Sequence, residues 1–199
     1  MNGTPRRVFL LSPASVNGRR GQLVLRSPTV EIARQVQAGA GVPLGDVFTF
    51  ISSLYFRGKL AYARAFAPGA AYVITPSRGL LLPDTQVTAD TLREFAAVPI
   101  SEDEPRFVEP LVRDIARLCG NSTCDVVLLG SVASAKYTAP LLGSLGRRLL
   151  FPSTFVGRGD MSRGGVMLRA VQDGRELDYE PVASAVLTGK RPPRLPPAR

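Results

Sequence analysis

The run FVGRGDMSRGG, residues 155–165, concentrates four glycines, two arginines, an aspartate and a serine. Glycine lets backbone N–H groups approach an anion closely and arginine supplies paired donors, so the run predicts one wall of an anion-binding site. It has neither the Lys-Ser/Thr pair of a P-loop nor the glycine spacing of a dinucleotide fingerprint. A mobile surface loop is the alternative. The candidate ligand-binding residues in it are Gly157, Arg158, Gly159, Ser162 and Arg163.

The segment TPSRGLLLPDT, residues 75–85, is a second candidate. Adjacent leucines in a loop must cover something, so the loop is expected to be packed. Packing would hold Ser77, Arg78 and Asp84 in place, as a functional loop requires. In the alternative interpretation, Arg78 and Asp84 pair with each other and cap the next helix.

A third candidate is LLGSVASAKYTAPL, residues 128–141. Gly130 and Ser131 follow a buried strand and precede a helix, and the N-terminus of a helix attracts anions. Lys136 and Tyr137 lie one turn into that helix. The alternative is that Ser131 only caps the helix and that Lys136 is solvated.

The chain contains no histidine, which excludes Ser-His-Asp and Cys-His catalysis and the usual zinc sites. A general base must then be Asp, Glu, Lys, Tyr or an activated water. Asp84 and Asp160 are the candidate catalytic carboxylates, with Tyr137 as a positioning group. Cys119 and Cys124 are expected to be buried thiols, although a disulfide stays open. No metal site and no cofactor are predicted.

The elements that must position these residues follow from apolar runs that alternate with helical patterns. This alternation predicts an α/β fold with three layers, in which helices flank a mostly parallel central sheet. Ligands bind such sheets beyond the carboxyl ends of the strands. Each predicted strand exits into a polar turn, and these turns should open on one edge of the sheet. They begin at Ser12, Thr75, Gly130 and Ser153, and the same edge would collect Asn17, Arg19 and Arg20 together with the charged candidates named above.

Other segments carry local expectations. VNGRRG, residues 16–21, predicts a turn. The aromatic segment 43–69 predicts two short helices, or one helix weakened at Gly58, and its aromatic stripe is either core or a base-stacking surface. The glycine-rich run 157–165 is expected to be a loop, followed by a helix or an edge strand.

Length and charge set the broad class. The 199 residues suit one α/β domain over residues 1–189, with a disordered, basic, proline-rich tail over residues 190–199. The net charge is +9, and the excess of basic residues lies in the first and last thirds of the chain. If these thirds adjoin, one face is cationic and favours a nucleotide or nucleic acid as partner; charge for solubility is the alternative. With no secretion signal and no membrane-spanning segment, a cytoplasmic location without membrane partners is expected.

Three segments together resemble the YaaA-like group of small bacterial α/β proteins: YVITPSRGLLLPDT, CDVVLLGSVASAKYTAPLL and FPSTFVGRGDMSRG. The resemblance covers residues 71–165. Members carry a Ser-x-x-Gly-Leu-Leu-x-Pro-Asp loop, which here contains an additional leucine, and a lysine usually precedes its first glycine where this chain has Arg78. The resemblance implies roles related to DNA or nucleobases and protection from DNA damage.

The sequence therefore leads to one main hypothesis and two alternatives. The main hypothesis is a protein that binds a nucleotide or nucleic acid at the strand-end edge, with glycosidic-bond chemistry on a nucleoside or DNA base if it is an enzyme. The alternatives are a non-catalytic module that binds nucleic acid or protein, and an enzyme acting on another small anionic metabolite.

Overall fold

The computed structural model describes residues 6–120 and 124–193, and it confirms the predicted α/β fold. The described strands are β1 (Arg6–Leu11), β2 (Val42–Pro43), β3 (Ala71–Ile74), β4 (Leu80–Leu81), β5 (Gln86–Val87), β6 (Cys124–Leu129), β7 (Leu149–Pro152) and β8 (Tyr179–Pro181). The central sheet has the order β4-β3-β1-β6-β7-β8, and β2 pairs with β5 in a separate ladder. Strands β3, β1, β6 and β7 are parallel to one another, whereas β4 pairs antiparallel with β3 at one edge and β8 pairs antiparallel with β7 at the other.

Helices cover both faces of this sheet. The described α-helices are α1 (Arg19–Arg26), α2 (Glu31–Gln37), α3 (Leu44–Ser52), α4 (Leu54–Phe66), α5 (Ala89–Ala97), α6 (Pro105–Cys119), α7 (Ala135–Leu145) and α8 (Asp160–Gln172). Helices α6 and α7 pack on one face, and the other helices pack on the opposite face.

The alternation of side chains in β1 explains why both faces must be covered. Phe9 and Leu11 point into one core, whereas Val8 and Leu10 point into the other, and all of them are fully buried. Successive side chains of a strand lie on opposite sides of the sheet, so an entirely apolar strand needs helices on both sides. This is the pattern that the apolar runs of the sequence predicted.

The order of the strands places a topological switch point between β1 and β6. From β1 the chain moves to β3 on one side, and it later returns to form β6 on the other side. At such a point the connections leave the sheet in opposite directions, so a crevice opens beyond the carboxyl ends of the two strands. Ser12 follows β1 at this crevice and Gly130 follows β6.

Three local expectations have different outcomes. The turn predicted at Asn17 and Gly18 is present, and α1 begins directly after it at Arg19. The aromatic segment forms two helices, α3 and α4, as one of the two alternatives predicted, but they are separated at Ser53, whose φ is +52°, and α4 continues through Gly58. The third expectation, a loop over the whole glycine-rich run, was wrong. The glycine-rich run ends as a loop at Gly159, because α8 begins at Asp160.

The glycines of the glycine-rich run explain why its second half is helical although a loop was predicted. A Cβ atom on Gly164 would lie 2.6 Å from the carbonyl oxygen of Leu54, and one on Gly58 would lie 2.7 Å from that of Gly164. Helices α4 and α8 therefore approach each other so closely that only glycine fits at the contact. Gly164 serves helix packing, whereas the sequence suggested loop flexibility.

Other expectations have simple outcomes. Cys119 and Cys124 are both buried and form no disulfide with each other. Residues 190–193 have no helix or strand, and residues 194–199 of the predicted tail lie outside the described residues. None of the described helices is long and apolar enough to cross a membrane.

Candidate functional site

A cleft of about 470 Å³ lies at the carboxyl ends of β1 and β6. We call it the β1–β6 cleft. Its floor and walls come from the loop after β1, the start of α1, the junction of α3 and α4, the loop after β6 and the starts of α7 and α8. The polar residues among its lining are Ser12, Ser15, Arg19, Arg20, Ser52, Tyr55, Ser131, Lys136, Tyr137 and Asp160.

Helices α1, α7 and α8 all begin at this cleft, because each of them follows a parallel strand whose carboxyl end opens there. The side chain of the N-cap residue makes no capping hydrogen bond in any of the three, which begin after Gly18, Ser134 and Gly159. The N–H groups of a first turn have no partner inside the helix and carry partial positive charge. Their convergence favours an anion in the cleft.

The charged side chains that line the cleft add to the positive electrostatic potential of the helix N-termini. Arg19, Arg20 and Lys136 are cationic, and Asp160 supplies the one carboxylate among the described lining residues. Arg20 also donates a hydrogen bond to the backbone oxygen of Phe50 in α3, at 3.3 Å, which directs its guanidinium toward the end of that helix. The excess of positive charge means that a neutral ligand would leave cations unpaired.

Two buried tyrosines form part of the wall. Burial raises the pKa of Tyr55 to about 12 and also raises the pKa of Tyr137, so both stay protonated donors at neutral pH. The hydroxyl of Tyr55 has no hydrogen-bond partner among the described residues, although Ser12 and Arg163 lie close to it. An unpaired buried hydroxyl costs about 1–3 kcal/mol, so a ligand atom that accepted a hydrogen bond from it would relieve that cost.

Lys59 lies directly behind the cleft. Its side chain is 1 % exposed, and its Nζ lies 2.7 Å from the backbone oxygen and 2.9 Å from the Oγ of Ser12. The ring of Tyr55 lies 4.0 Å from Nζ, with Phe56 further away. Burial lowers the pKa of Lys59 to about 7, and no ion pair among the described residues includes it.

Arg163 is the second buried cation of this region. It is 8 % exposed, donates a hydrogen bond to the backbone oxygen of Phe155 at 3.3 Å, and lies 3.6 Å from Asp160. The sequence predicted it as a ligand-binding residue. The structure instead places it beside the cleft, where it orients Asp160 and the loop that precedes α8.

The structure brings only part of the predicted site together. Ser131, Lys136, Tyr137 and Asp160 line the β1–β6 cleft. Gly130 lies against the floor, since a Cβ atom on it would come within 2.9 Å of the Cβ atom of Ser12. These residues follow β6 and β7, and they lie together because the carboxyl ends of parallel strands open on the same edge of the sheet.

A second group from the glycine-rich run lies on the outer side of α8. Arg158, Gly159 and Ser162 line a separate cleft of about 400 Å³ together with residues 191–193. Arg158 donates hydrogen bonds to the backbone oxygen of Thr154, at 3.0 Å, and to Ser162, at 3.2 Å. Gly157 has a φ of +70° and lies under the backbone of Lys190. This group does not contribute to the β1–β6 cleft.

The loop after β3 lies apart from both clefts. Ser77 and Arg78 each donate hydrogen bonds to Glu94 of α5. Asp84 accepts from Arg64 of α4 at 2.6 Å, and its side chain is 77 % exposed. Neither pair includes the partner that the sequence suggested, and Asp84 is not among the residues that line the β1–β6 cleft.

Tyr55 and Lys59 were not among the residues that the sequence placed at the site, and Ser12, Arg19 and Arg20 were expected only at the strand-end edge, without a role in binding. For Lys59 a signal existed: it lies four residues after Tyr55, on the apolar stripe of an aromatic helix. A lysine on such a stripe is either extended toward solvent or buried with a perturbed pKa.

Comparisons with protein-family models, with curated proteins and with solved structures found no match to this chain.

Proposed function

We propose that the β1–β6 cleft binds a phosphate-bearing ligand of nucleotide size. The observation that carries this proposal is the convergence of the starts of α1, α7 and α8 with Arg19, Arg20 and Lys136 at one cleft. Helix N-termini and arginines are the groups that proteins use to hold phosphate. The proposed membership of the YaaA-like group would also favour a nucleotide, because that resemblance implies roles related to DNA or nucleobases.

The shape of the cleft agrees with a nucleotide rather than with phosphate alone. Its volume of about 470 Å³ lies within the range of small-molecule sites. A side cleft of about 280 Å³ shares Lys136 and Tyr137 with it and is lined by the apolar side chains of Phe95, Val98 and Ile100. A nucleotide would fit both clefts if its phosphate lay beside the cationic side chains and its planar base lay in the apolar side cleft.

The test is a mutation of the cationic wall. We expect that replacing both Arg19 and Arg20 with alanine weakens the binding of AMP by at least about tenfold, because each lost charge-assisted hydrogen bond is worth about 1.5–3 kcal/mol. Isothermal titration calorimetry with AMP, UMP and inorganic phosphate measures the effect. Arg26→Ala is the matched control, since Arg26 is an exposed arginine at the opposite end of the same helix.

The outcomes separate the alternatives. If the wild-type protein binds none of these ligands, the proposal is wrong. If the double variant and Arg26→Ala bind equally well, the cleft is not the binding site.

Nucleic acid is the second candidate partner, favoured by one observation. Helices α4 and α8 pack closely, so the basic first and last thirds of the chain do adjoin. Binding of a single-stranded oligonucleotide with a steep salt dependence, in a protein that does not bind mononucleotides, would favour this candidate. Glycosidic-bond chemistry would then depend on Asp160, the carboxylate that lines the cleft.

Tyr55 gives an independent prediction. We expect Tyr55→Phe to keep the free energy of unfolding within about 1 kcal/mol of wild type or to raise it, because the hydroxyl makes no hydrogen bond of normal geometry with Ser12 or Arg163, the polar side chains close to it. The same change should weaken AMP binding about fivefold or more if that hydroxyl donates to the ligand. Urea denaturation and calorimetry measure the two effects, with Tyr72→Phe on β3 as control. A large loss of stability without a loss of affinity would contradict the role of Tyr55 in the cleft.

A further inference from the structure

We infer that Ser12 and Lys59 form a nucleophile and general-base pair, and that the β1–β6 cleft hydrolyses an acyl ester of a phosphate-bearing alcohol. The inference rests on the proposed function for the phosphate part, which would anchor the substrate in the cleft. The reacting pair itself is argued from other contacts.

The position of Ser12 is the first step. It follows the last residue of β1, and its side chain lies between the cleft in front and Lys59 behind. Gly130 faces it from the end of β6, where a Cβ atom would come within 3.0 Å of the Ser12 Oγ. A glycine at this position therefore leaves room for the hydroxyl at the floor of the cleft.

The hydrogen bonds of Lys59 are the second step. Its Nζ has two acceptors, the backbone oxygen and the Oγ of Ser12. A neutral amine has two hydrogens and one lone pair. It can donate to the backbone oxygen and accept from the Ser12 hydroxyl, at the 2.9 Å that separates the two atoms. This is the geometry that a base requires to take the proton of a nucleophile.

The surroundings of Lys59 keep the neutral amine populated at neutral pH. Burial lowers its pKa to about 7, Asp160 of α8 raises the pKa, and Arg163 of α8 lowers it. Tyr55 of its own helix stays protonated, since its pKa is raised to about 12. A lysine that served only to brace the end of β1 would gain from a carboxylate partner, and none of the described ion pairs provides one.

The reaction would run in two balanced steps. First, the Ser12 Oγ attacks the ester carbonyl carbon while its proton passes to Lys59 Nζ; the bond to the alcohol oxygen breaks, and that oxygen takes the proton from Lys59. Second, a water attacks the acyl carbon and gives its proton to Lys59, which returns it to Ser12 as the acyl bond breaks. The developing oxyanion would lie among the starts of α1, α7 and α8, whose partial positive charge stabilises it.

The experiment uses a biotinylated fluorophosphonate, which reacts with activated serines by releasing fluoride, and locates the adduct by mass spectrometry. We expect an adduct on Ser12 whose rate of formation rises with pH through a midpoint near 7, as Lys59 loses its proton. Lys59→Met should slow the labelling by about 100-fold or more. The exposed Lys190→Met is the matched control and should label as wild type does.

Two results would overturn the inference: no adduct on Ser12 in the wild-type protein, or labelling of Lys59→Met at the wild-type rate with a flat pH profile. If Lys59→Met fails to fold, the pH profile of the wild-type protein still decides. The proposed function is tested by a separate measurement, the binding of AMP to unlabelled wild-type protein, so its failure can be distinguished from failure of the Ser12–Lys59 inference. Labelling of Ser12 without AMP binding would overturn only the phosphate part.

Discussion

At pH 6 the Lys59→Met variant is expected to be more stable than the wild-type protein, and its advantage is expected to disappear by pH 9. The cause is the burial that lowers the pKa of Lys59 from 10.5 to about 7. Below pH 7 the side chain is charged in both the folded and the unfolded state, so the full cost of burying the charge is present. As the pH rises from 7 toward 10.5, the unfolded state still binds the proton and the folded state does not, so this cost is relieved.

The expected size is large for one residue. A shift of this extent corresponds to at most roughly 4–5 kcal/mol at low pH. Methionine has a similar length and carries no charge, but it leaves both oxygens of Ser12 without their hydrogen bonds, at about 1 kcal/mol each. We therefore expect a gain of about 1–3 kcal/mol at pH 6 and parity or a small loss at pH 9.

Urea denaturation at pH 6, 7, 8 and 9 measures this difference. Lys190→Met is the control, because Lys190 is exposed and its replacement should give a difference that does not change with pH. A difference for Lys59→Met that is equally flat would show that Lys59 keeps its ordinary pKa in the folded protein. The base that we assign to Ser12 would then be fully protonated at neutral pH.

The sheet could be predicted because its signal is local. The runs VFLL and CDVVLLG are apolar on both faces of a strand. This pattern is typical of a strand that is buried between two layers of helices, and the two runs pair with each other at the centre of the sheet. The parallel direction then placed Ser131, Lys136, Tyr137 and Asp160 on one edge. These side chains meet in one cleft because strand direction, and not their individual chemistry, decides where they lie.

The partners of charged side chains could not be predicted in the same way. Arg78 and Asp84 lie six residues apart in one loop, which suggested that they pair with each other. In the structure Arg78 pairs with Glu94 and Asp84 with Arg64, both on helices packed beside the loop. Which helix lies beside a loop is a tertiary property that no spacing within the loop contains.

The burial of Lys59 depends on tertiary structure as well. Residues 55, 59, 62 and 63 share one face of α4, so helical spacing alone allows Lys59 to be inside. Whether its amine is then buried or extends to solvent depends on what lies above it. Here the end of β1 and the first turns of α8 close over it, and both are distant in the sequence.

The contact between α4 and α8 gives the second large effect. We expect Gly164→Ala to lower the free energy of unfolding by about 2–3 kcal/mol, because its Cβ would lie 2.6 Å from the backbone oxygen of Leu54 and 3.0 Å from the Cα of Tyr55. Backbone atoms cannot turn aside as a side chain can, so the helices must separate. Asp160 and Tyr55 are carried by these helices, so AMP affinity should fall with stability.

Gly143→Ala on α7 is the matched control for this change. A Cβ atom there meets no described atom within 4 Å, so alanine should be neutral or stabilise the helix by up to about 1 kcal/mol. A loss of stability as large as that of Gly164→Ala would show that a helical alanine destabilises this protein even where its Cβ meets nothing, so the close contact would not explain the effect. Equal stability of Gly164→Ala and wild type would contradict the contact itself.

Gly58 allows the contact to be tested from the other helix. Its Cβ would lie 2.7 Å from the backbone oxygen of Gly164, so Gly58→Ala is expected to be as destabilising as Gly164→Ala. Once one alanine has separated the helices, the second meets less resistance, and the double variant should lose less stability than the sum of the single losses. Additive losses in urea denaturation would mean that the two glycines act at independent places. The close contact between the two helices would then not explain how α8 positions Asp160 at the cleft.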